Sequence, residues 1–556
     1  MTNTERTDHV SGPETAKTEH VHTEHVHTER AHTERADACA PAASTRTVTE
    51  QLALVLGSVG PLPPLWMELD AARGLVLAED VFSRTDTPPF DNSAMDGYAV
   101  IRSDLLGASA NNPITLPVVA DLAAGTAENP RLVSGQVARI MTGAPLPDGA
   151  DAIVPIEDTD QGTERVAIAA QPAAAAHVRR AGEDAHAGDR VLGAGSVLWP
   201  ARVAAAASAG TSSVFVHPAP RVAVISTGSE LVIPGDPTRR GQIPDSNSFL
   251  LSAAVAEAGG IAVRIGAVPD DDDALRAVLT DLAGTVDVIV LSGGVSVGAY
   301  DVVKAVLKPL GTVHFGPVKM QPGKPQGFGR WPAVDGVPGP LIFALPGNPV
   351  SAYVSFEVFV RPALQRLLGH GNYNLATTPA IITGIHTQTQ SKSQAETATQ
   401  TDAETATRTD DSALHRRTIT ATVTDGWNSP PGRAQYMPVI VTYRSNSKGN
   451  NSGSNAGSTA RAGIRSDSPA DRAAESAADK AAGSAAHNTS RSNGPTDDAA
   501  IGRPGSEPHA EVRPASRGGS GSHLVAGLAQ ANGLAVVSED TTHIRGGDLI
   551  TVMLTS

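Results

Sequence analysis

Several short stretches of this 556-residue chain combine glycine, hydroxyl and carboxylate residues as a site for an anion and a cation would. STGSE places Thr227, Gly228, Ser229 and Glu230 after one apolar run, and PDDDD places Asp270, Asp271, Asp272 and Asp273 after a second. A third apolar run leads into LSGGVSVGAYD at 291–301. Its glycines let backbone N–H groups approach an anion closely, the next helix offers its positive end, and Asp301 is placed to meet a cation. MQPGKPQGFG sets Lys324 in a Pro-Gly turn, and ALPGNPVSAY sets Pro346, Gly347, Asn348, Pro349 and Ser351 at a strand-to-helix transition. There Ser351 and the first helical N–H groups are placed to bind a small oxyanion.

Three more polar segments lie upstream. PPFDNSAMDGYAV, 88–100, crowds Asp91, Asn92, Ser93 and Asp96 beside Gly97, a set able to hold a hydrated cation or simply to form an Asx turn. RIMTGAPLPDGAD, 139–151, offers Thr142 as a donor to an oxyanion. RRAGEDAHAGD, 179–189, offers Arg179 and Arg180 to a phosphate and Glu183 with Asp184 to a cation. Solvated turn chemistry accounts for each of these segments taken alone. The chain has neither GxxxxGK[ST] nor GxGxxG at these loops, so nucleoside triphosphate or nicotinamide binding of those kinds is unsupported. No histidine falls in DNSAMDGYA, RIMTGAP, RRAGED or the loops between 227 and 351, which argues against a Ser-His-Asp triad.

The elements that must position these loops are legible as alternation. From Arg221 the runs RVAVIS, NSFLLSAAVAEAGG, IAVRIGAV, DALRAVLTDLAG and VDVIVLSGG read strand, helix, strand, helix, strand, and the pattern continues to a helix after Asn348. A parallel sheet covered on both faces is expected, with ligands bound beyond the carboxyl ends of its strands. All the loops with Gly, hydroxyl and carboxylate residues between 227 and 351 then fall at one sheet edge.

Helix signals at TEQLALVLGSVG from Thr49 and at LWPARVAAAASAG from Leu198 flank a Gly- and Val-rich stretch, which reads as a β-rich domain inserted into a helical one. Beyond Gly371, short β segments at 380–386, 417–423 and 435–443 and a final stretch at 523–554 read as a small β domain. Residues 1–46 carry the five-residue repeat TEHVH, TEHVH, TERAH, TERAD and should be disordered. A loose transition-metal role for His20, His22, His25, His27 and His32 is less favoured than a solvated tail. Only 3% of residues are aromatic, so cores must rest on Val, Leu, Ile and Ala. The single cysteine, Cys39, excludes an intrachain disulfide and a clustered-thiolate zinc site and fits a reducing compartment. The N-terminus lacks a signal-peptide apolar core and no run is long enough to span a bilayer, so a soluble cytoplasmic protein without membrane partners is expected. A formal net charge of −15 argues against nucleic acid as a partner.

Together, DNSAMDGYA, RIMTGAP, RRAGED, STGSEL, SGGVSVG, PGKP and LPGNPVSA resemble, in content and order, the molybdopterin molybdenumtransferase family, over 48–556 apart from two polar tracts. The resemblance implies a multidomain α/β plus β fold: a molybdopterin-binding α/β three-layer domain, an inserted β domain, a helical linker domain and a C-terminal β barrel. The corresponding extents are 47–86 with 187–218 for the linker, 87–186 for the inserted domain and 219–371 for the α/β domain. The barrel takes 376–444 with 521–556, and 387–414 and 445–520 are expected to be disordered insertions.

The implied chemistry is insertion of molybdate into adenylylated molybdopterin with Mg²⁺-dependent release of AMP. By motif, it gives catalytic roles to Asp96, Thr142, Asp184, Glu230, Asp271, Asp301 and Lys324, with Glu230, Asp271 and Asp301 at Mg²⁺. Substrate contacts fall to Ser292, Gly293, Gly294, Val295, Ser296, Arg179, Arg180, Pro346, Pro349 and Ser351. The backbone from Ser292 through Val297 and the Lys324 side chain would neutralise the pterin phosphate. The family also implies an elongated homodimer, with the inserted domain of one subunit facing the α/β domain of the other. A pterin adenylyltransferase or molybdoenzymes are further candidate partners. One departure is Gln321, where the family often has a second lysine, which would weaken anion grip. Two other readings stay open: a molybdopterin adenylyltransferase, whose α/β domain shares the SGGVS loop, and a non-catalytic gephyrin-like scaffold.

Overall fold

The structure, a computed structural model, describes residues 45–295, 301–333, 336–371, 416–444, 509–516 and 521–555. The repeat-bearing tail, the segment 380–386, the tract 387–414 and Ser296 with Val297 therefore lie outside the described residues.

The first helix, Val48–Gly57, starts at a reciprocal cap: the Glu50 N–H donates to Thr47 Oγ1 and the Thr47 N–H to Glu50 Oε2, at 3.1 and 2.8 Å. Its apolar stripe of Val48, Leu52, Val55 and Leu56 enters the core shared by the α/β sheet's helices and the barrel. The second expected helix forms at Pro200–Ser208, with proline in its first turn. It packs with a three-stranded sheet of Leu65–Glu68, Ser213–His217 and Val76–Leu77. The intervening stretch builds a five-stranded sheet in the order Ala152–Pro155, Gly97–Val100, Val137–Ile140, Ile114–Leu122, Arg165–Ile168. Two-residue alternation divides it cleanly, Tyr98 and Val100 entering one core and Ala99 the other.

The α/β sheet has six strands, in the order Ile261–Val268, Arg221–Thr227, Val288–Ser292, Leu341–Leu345, Pro325–Arg330, Val313–Pro317. The expected βαβαβ unit is present with helices Asn247–Glu257 and Asp272–Leu282. The expectation of a wholly parallel sheet needs one correction, since Pro325–Arg330 runs antiparallel to both neighbours. Its connections are too short for a helical crossover, which permits only antiparallel pairing. The buried strands Val288–Ser292 and Leu341–Leu345 are continuous apolar runs closed between two core layers, as a sheet covered on both faces requires.

The C-terminal strands close a barrel. Ala434–Arg444 pairs with His509–Pro514, then come Thr418–Val423, Leu549–Leu554 and Gly533–Val537, which returns to Ala434–Arg444. His509–Pro514 corrects the expectation that 445–520 is one polar insertion: Ala510 and Val512 alternate inward with polar neighbours outward. Six residues of half-apolar alternation at the end of a long polar tract give too faint a signal to be read as a strand. One edge of the barrel sheet takes in Met320–Gln321, which pairs in parallel with Ala434 and Gln435, so the turn bearing Lys324 is anchored to the barrel.

A buried ionic network fixes this junction. Glu357 lies in a π-helical turn, Phe356–Val360, between helices Pro349–Ser355 and Arg361–Leu367. Its fully buried carboxylate accepts from Arg361 Nε at 2.8 Å and from Arg416 Nε at 2.9 Å, and both arginines also reach Glu257. Arg416 further donates to the Thr555 carbonyl at the end of the barrel's last strand. Burial alone would raise the Glu357 pKa, but the two arginines outweigh it and hold the carboxyl below its usual range.

Candidate active-site groove

A cleft of about 700 Å³ opens where the parallel strands end. Thr227, Ser292 and Pro346 follow from three strand ends, Asp270 from a fourth, and Asp301 from the loop after Ser292. The approach is close because Gly293 has φ +106°, and a Cβ there would stand 2.6 Å from the Thr227 carbonyl oxygen. A second cavity of about 610 Å³ lies where the Lys324 turn meets the barrel, lined by Lys324, Arg433, Trp427 and Ser522 among others. Ser351 and His523 line both, so the two form one groove.

Charge divides along the groove. Glu230, Asp245, Asp270 and Asp301 line the sheet end, whereas Lys324 and Arg433 line the barrel end. Arg433 Nη1 stands 3.5 Å from Gln321 Oε1, so an arginine from the barrel occupies the neighbourhood of the missing family lysine.

The sheet end holds polar atoms that the chain leaves without hydrogen bonds. Thr227 Oγ1, Asn247 Oδ1 and Asp301 Oδ2 are buried and lack a hydrogen-bond partner among the described residues. Asn247 is oriented by its amide, which donates to the Gly347 carbonyl at 2.6 Å, leaving its oxygen as a free acceptor. Asp245 is buried too and accepts from Ser226 Oγ at 2.8 Å and from the Ser248 N–H at 3.1 Å. Buried polar atoms without partners cost free energy, so their gathering in one cleft points to a ligand that supplies donors or a cation.

Asp301 and Asp271 each precede a helix and behave differently. Asp271 accepts from the Ala274 N–H at 2.7 Å, an N-cap, and does not line the cleft. Asp301 makes no cap bond to the helix Val302–Leu307, and its Oδ2 has Lys304 Nζ at 3.5 Å. The cleft takes Asp270 where the sequence pointed to Asp271; Asp270 Oδ2 accepts from the Ser229 N–H at 2.9 Å. Among the described residues no three acidic or histidine side chains converge as a metal cluster. Glu230, Asp270 and Asp301, whose Oδ2 has no hydrogen bond, nonetheless suit a hard cation that keeps water or substrate oxygens in its shell.

Of the other expected contacts, Gly293, Gly294, Val295, Ser292, Pro346, Pro349 and Ser351 all line the groove. The Gly293 N–H is spent on the Leu345 carbonyl at 3.1 Å, so the anion-facing role falls to other donors. Asp96, Thr142, Asp184, Arg179 and Arg180 do not line it and are presented elsewhere on the same chain. Asp96 accepts from the Thr142 N–H and Oγ1 at 2.7 and 2.8 Å, bonds that hold its carboxyl below the usual range. Arg180 is engaged by Asp91, whose carboxyl is likewise lowered, first by the Ala181 N–H and then by Arg180. Arg179 pairs through backbone with Asn92, and the Asp184 N–H donates to the Thr87 carbonyl. Asp245, Asn247, Arg433 and His523 line the groove without having been singled out in the sequence. A polar DSN at a helix start and an arginine after a Pro-Gly turn were the available signals, both common in ordinary turns.

An acidic cleft at strand ends, continued into a basic groove beneath a barrel, defines a multidomain α/β protein with a charged groove where its domains meet. Three family descriptions match in chain order: MoeA N-terminal region (domain I and II) over 46–210, probable molybdopterin binding domain over 223–366, and MoeA C-terminal region (domain IV) over 506–555. Molybdopterin molybdenumtransferase 2 of Mycobacterium tuberculosis is 45% identical over 355 residues, 63% of this chain and 86% of that one. Molybdopterin molybdenumtransferase of a Nostoc species is 40% identical over 304 residues, 54% of this chain and 69% of that one. The crystal structure of a molybdopterin biosynthesis moeA protein from Pyrococcus horikoshii superposes with a TM-score of 0.60 at 25% identity, covering 92% of this chain and all of that one. The chain belongs to the molybdopterin molybdenumtransferase family, enzymes of molybdenum cofactor biosynthesis.

Proposed function

We propose that this protein inserts molybdate into adenylylated molybdopterin, with Mg²⁺-dependent release of AMP, as a cytoplasmic homodimer. The observation that carries the reading is the single groove whose sheet end is acidic and whose barrel end is basic, joined at Ser351 and His523. A phosphoanhydride with its cation suits the first end, and a tetrahedral oxyanion suits the second.

Glu230, Asp270 and Asp301 would hold Mg²⁺, with Asp271 kept for its helix cap. Mg²⁺ would offset the charge that develops on the phosphate as AMP leaves. Lys324 and Arg433 neutralise and orient the molybdate, and Ser351 at the first turn of Pro349–Ser355 donates to it. Thr227 and Asn247 fix the organic part of the substrate through their unpaired oxygens. The Asp96–Thr142 pair, with Asp184, Arg179 and Arg180, lies away from this groove in its own chain, which favours a site completed by the inserted domain of a second copy.

The test supplies purified protein with adenylylated molybdopterin and Mg²⁺, with and without molybdate, and measures AMP release together with reconstitution of an apo-molybdoenzyme. Molybdate-dependent release with reconstitution is expected. Consumption of ATP with molybdopterin and no insertion would move the assignment to an adenylyltransferase. Binding with no turnover would move it to a scaffold.

A further inference from the structure

Lys324 is useful to an oxyanion only if its turn is held at a fixed distance from Ser351. The turn is tied on two sides already: Met320–Gln321 pairs with the barrel strand, and the Val318 N–H donates to the Lys324 carbonyl at 2.7 Å. The third tie comes from Gln326, only 4% exposed. Its Nε2 donates to the Gly323 carbonyl at 2.6 Å and to Ser355 Oγ at 2.7 Å. Ser355 is fully buried and stands four residues after Ser351 on the helix Pro349–Ser355, hence on the same face one turn along. The backbone at Gly323 comes so near that a Cβ would lie 2.9 Å from Ser355 Oγ, and its φ of +103° admits little but glycine.

From this geometry we infer that Gln326 is a positioning residue, which through Ser355 sets where Lys324 stands relative to Ser351. The inference rests on the oxyanion-binding role proposed for the barrel end of the groove. A glutamine that merely satisfied buried polar atoms would support the core in general and would have no particular bearing on Lys324. The amide is suited to the strut because one NH₂ group carries two donors for two acceptors, which neither a carboxylate nor a thioether supplies.

The experiment uses the full chain in four forms, wild type, Gln326→Met, Ser355→Ala and Lys324→Ala, plus the double variant Gln326→Met with Lys324→Ala. Inorganic molybdate is titrated against each, and amide hydrogen exchange is followed over 320–326 and, as a control, over 272–282. Gln326→Met and Ser355→Ala are each expected to weaken molybdate about tenfold, the scale of one displaced charge-assisted hydrogen bond. In the Lys324→Ala background Gln326→Met should add nothing, and exchange should rise at 320–326 but not at 272–282. An equal further loss in the Lys324→Ala background, or unchanged exchange at 320–326, overturns the inference. Wild type that binds molybdate with this dependence yet releases no AMP would overturn the functional reading and leave the strut standing. If wild type binds no molybdate, the exchange measurement decides alone.

Discussion

The cleft at the sheet end and the junction beneath the barrel both bury carboxylates, and they treat them in opposite ways. At the junction, Glu357 has two arginines on its oxygens, and Arg416 carries the network on to Glu257 and Thr555. In the cleft, Asp301 keeps one buried oxygen without a hydrogen bond, beside the unpaired oxygens of Thr227 and Asn247. A paired buried charge holds parts of a protein in register, and breaking the pair exposes the full cost of burying what remains. Asp301 Oδ2 has Lys304 Nζ at 3.5 Å but no hydrogen bond, and an oxygen so placed raises the free energy of the empty site until a ligand binds. The difference separates residues that build the molecule from residues that act on a ligand, although both are carboxylates largely shielded from solvent.

The strongest way to break this comparison lies at the junction. Glu357→Ala leaves Arg361 and Arg416 to share the half-exposed Glu257 and is expected to cost about 3–5 kcal/mol of stability, read by denaturant unfolding. The acid limb adds a sign. Because the Glu357 pKa is lowered on folding, its contribution is present above the ordinary glutamate value and fades as pH falls through the lowered one. Thermal scans between about pH 5 and pH 3 should therefore show a shallower decline for Glu357→Gln than for wild type. Equal slopes would mean that the junction carboxylate is not held as the geometry indicates.

The next effect belongs to the cleft and should spare stability. Asp301→Ala is expected to lower Mg²⁺-dependent AMP release by at least about a hundredfold, roughly 2.7 kcal/mol in the barrier, with unfolding near that of wild type. Turnover within a few-fold of wild type would remove Asp301 from the site. Asp271→Ala sharpens the contrast, because that carboxylate is bonded to the Ala274 N–H. Loss of the cap should cost about 1 kcal/mol of stability while leaving the Mg²⁺ dependence of AMP release unchanged. A shift in the Mg²⁺ requirement would return Asp271 to the metal site.

These two aspartates also show how far sequence reasoning reaches. Alternating apolar runs and glycine-rich loops mark the sheet, its edge and most of the loops that line the groove, because strand period and turn chemistry are local properties. Whether Asp270 or Asp271 faces the cleft depends on a single residue of phase at a helix start, and four consecutive aspartates carry no phase. Arg433 and His523 reach the groove from the barrel, more than a hundred residues from Glu230 in sequence, and only tertiary packing brings them there. The strand His509–Pro514 is similarly silent until the barrel pairs both its edges.

The smallest effect discriminates best, because its sign differs between a bonded and an unbonded hydroxyl on one strand of the cleft. Thr227→Val replaces an unpaired buried hydroxyl with a methyl group of nearly the same volume, so the ligand-free protein should gain roughly 0.5–1 kcal/mol. Substrate affinity should fall at the same time, since the hydroxyl's partner is supplied by what binds. At Ser226 the same kind of change takes a donor away from the buried Asp245 carboxylate, and Ser226→Ala should lower stability instead. Paired unfolding curves for the two variants measure this directly. Stabilisation at Thr227 with destabilisation at Ser226, adjacent positions on one strand, would show that the unpaired atoms are held open for a ligand. Destabilisation at both would make Thr227 an ordinary part of the core and leave Asn247 Oδ1 and Asp301 Oδ2 as the cleft oxygens without a hydrogen bond.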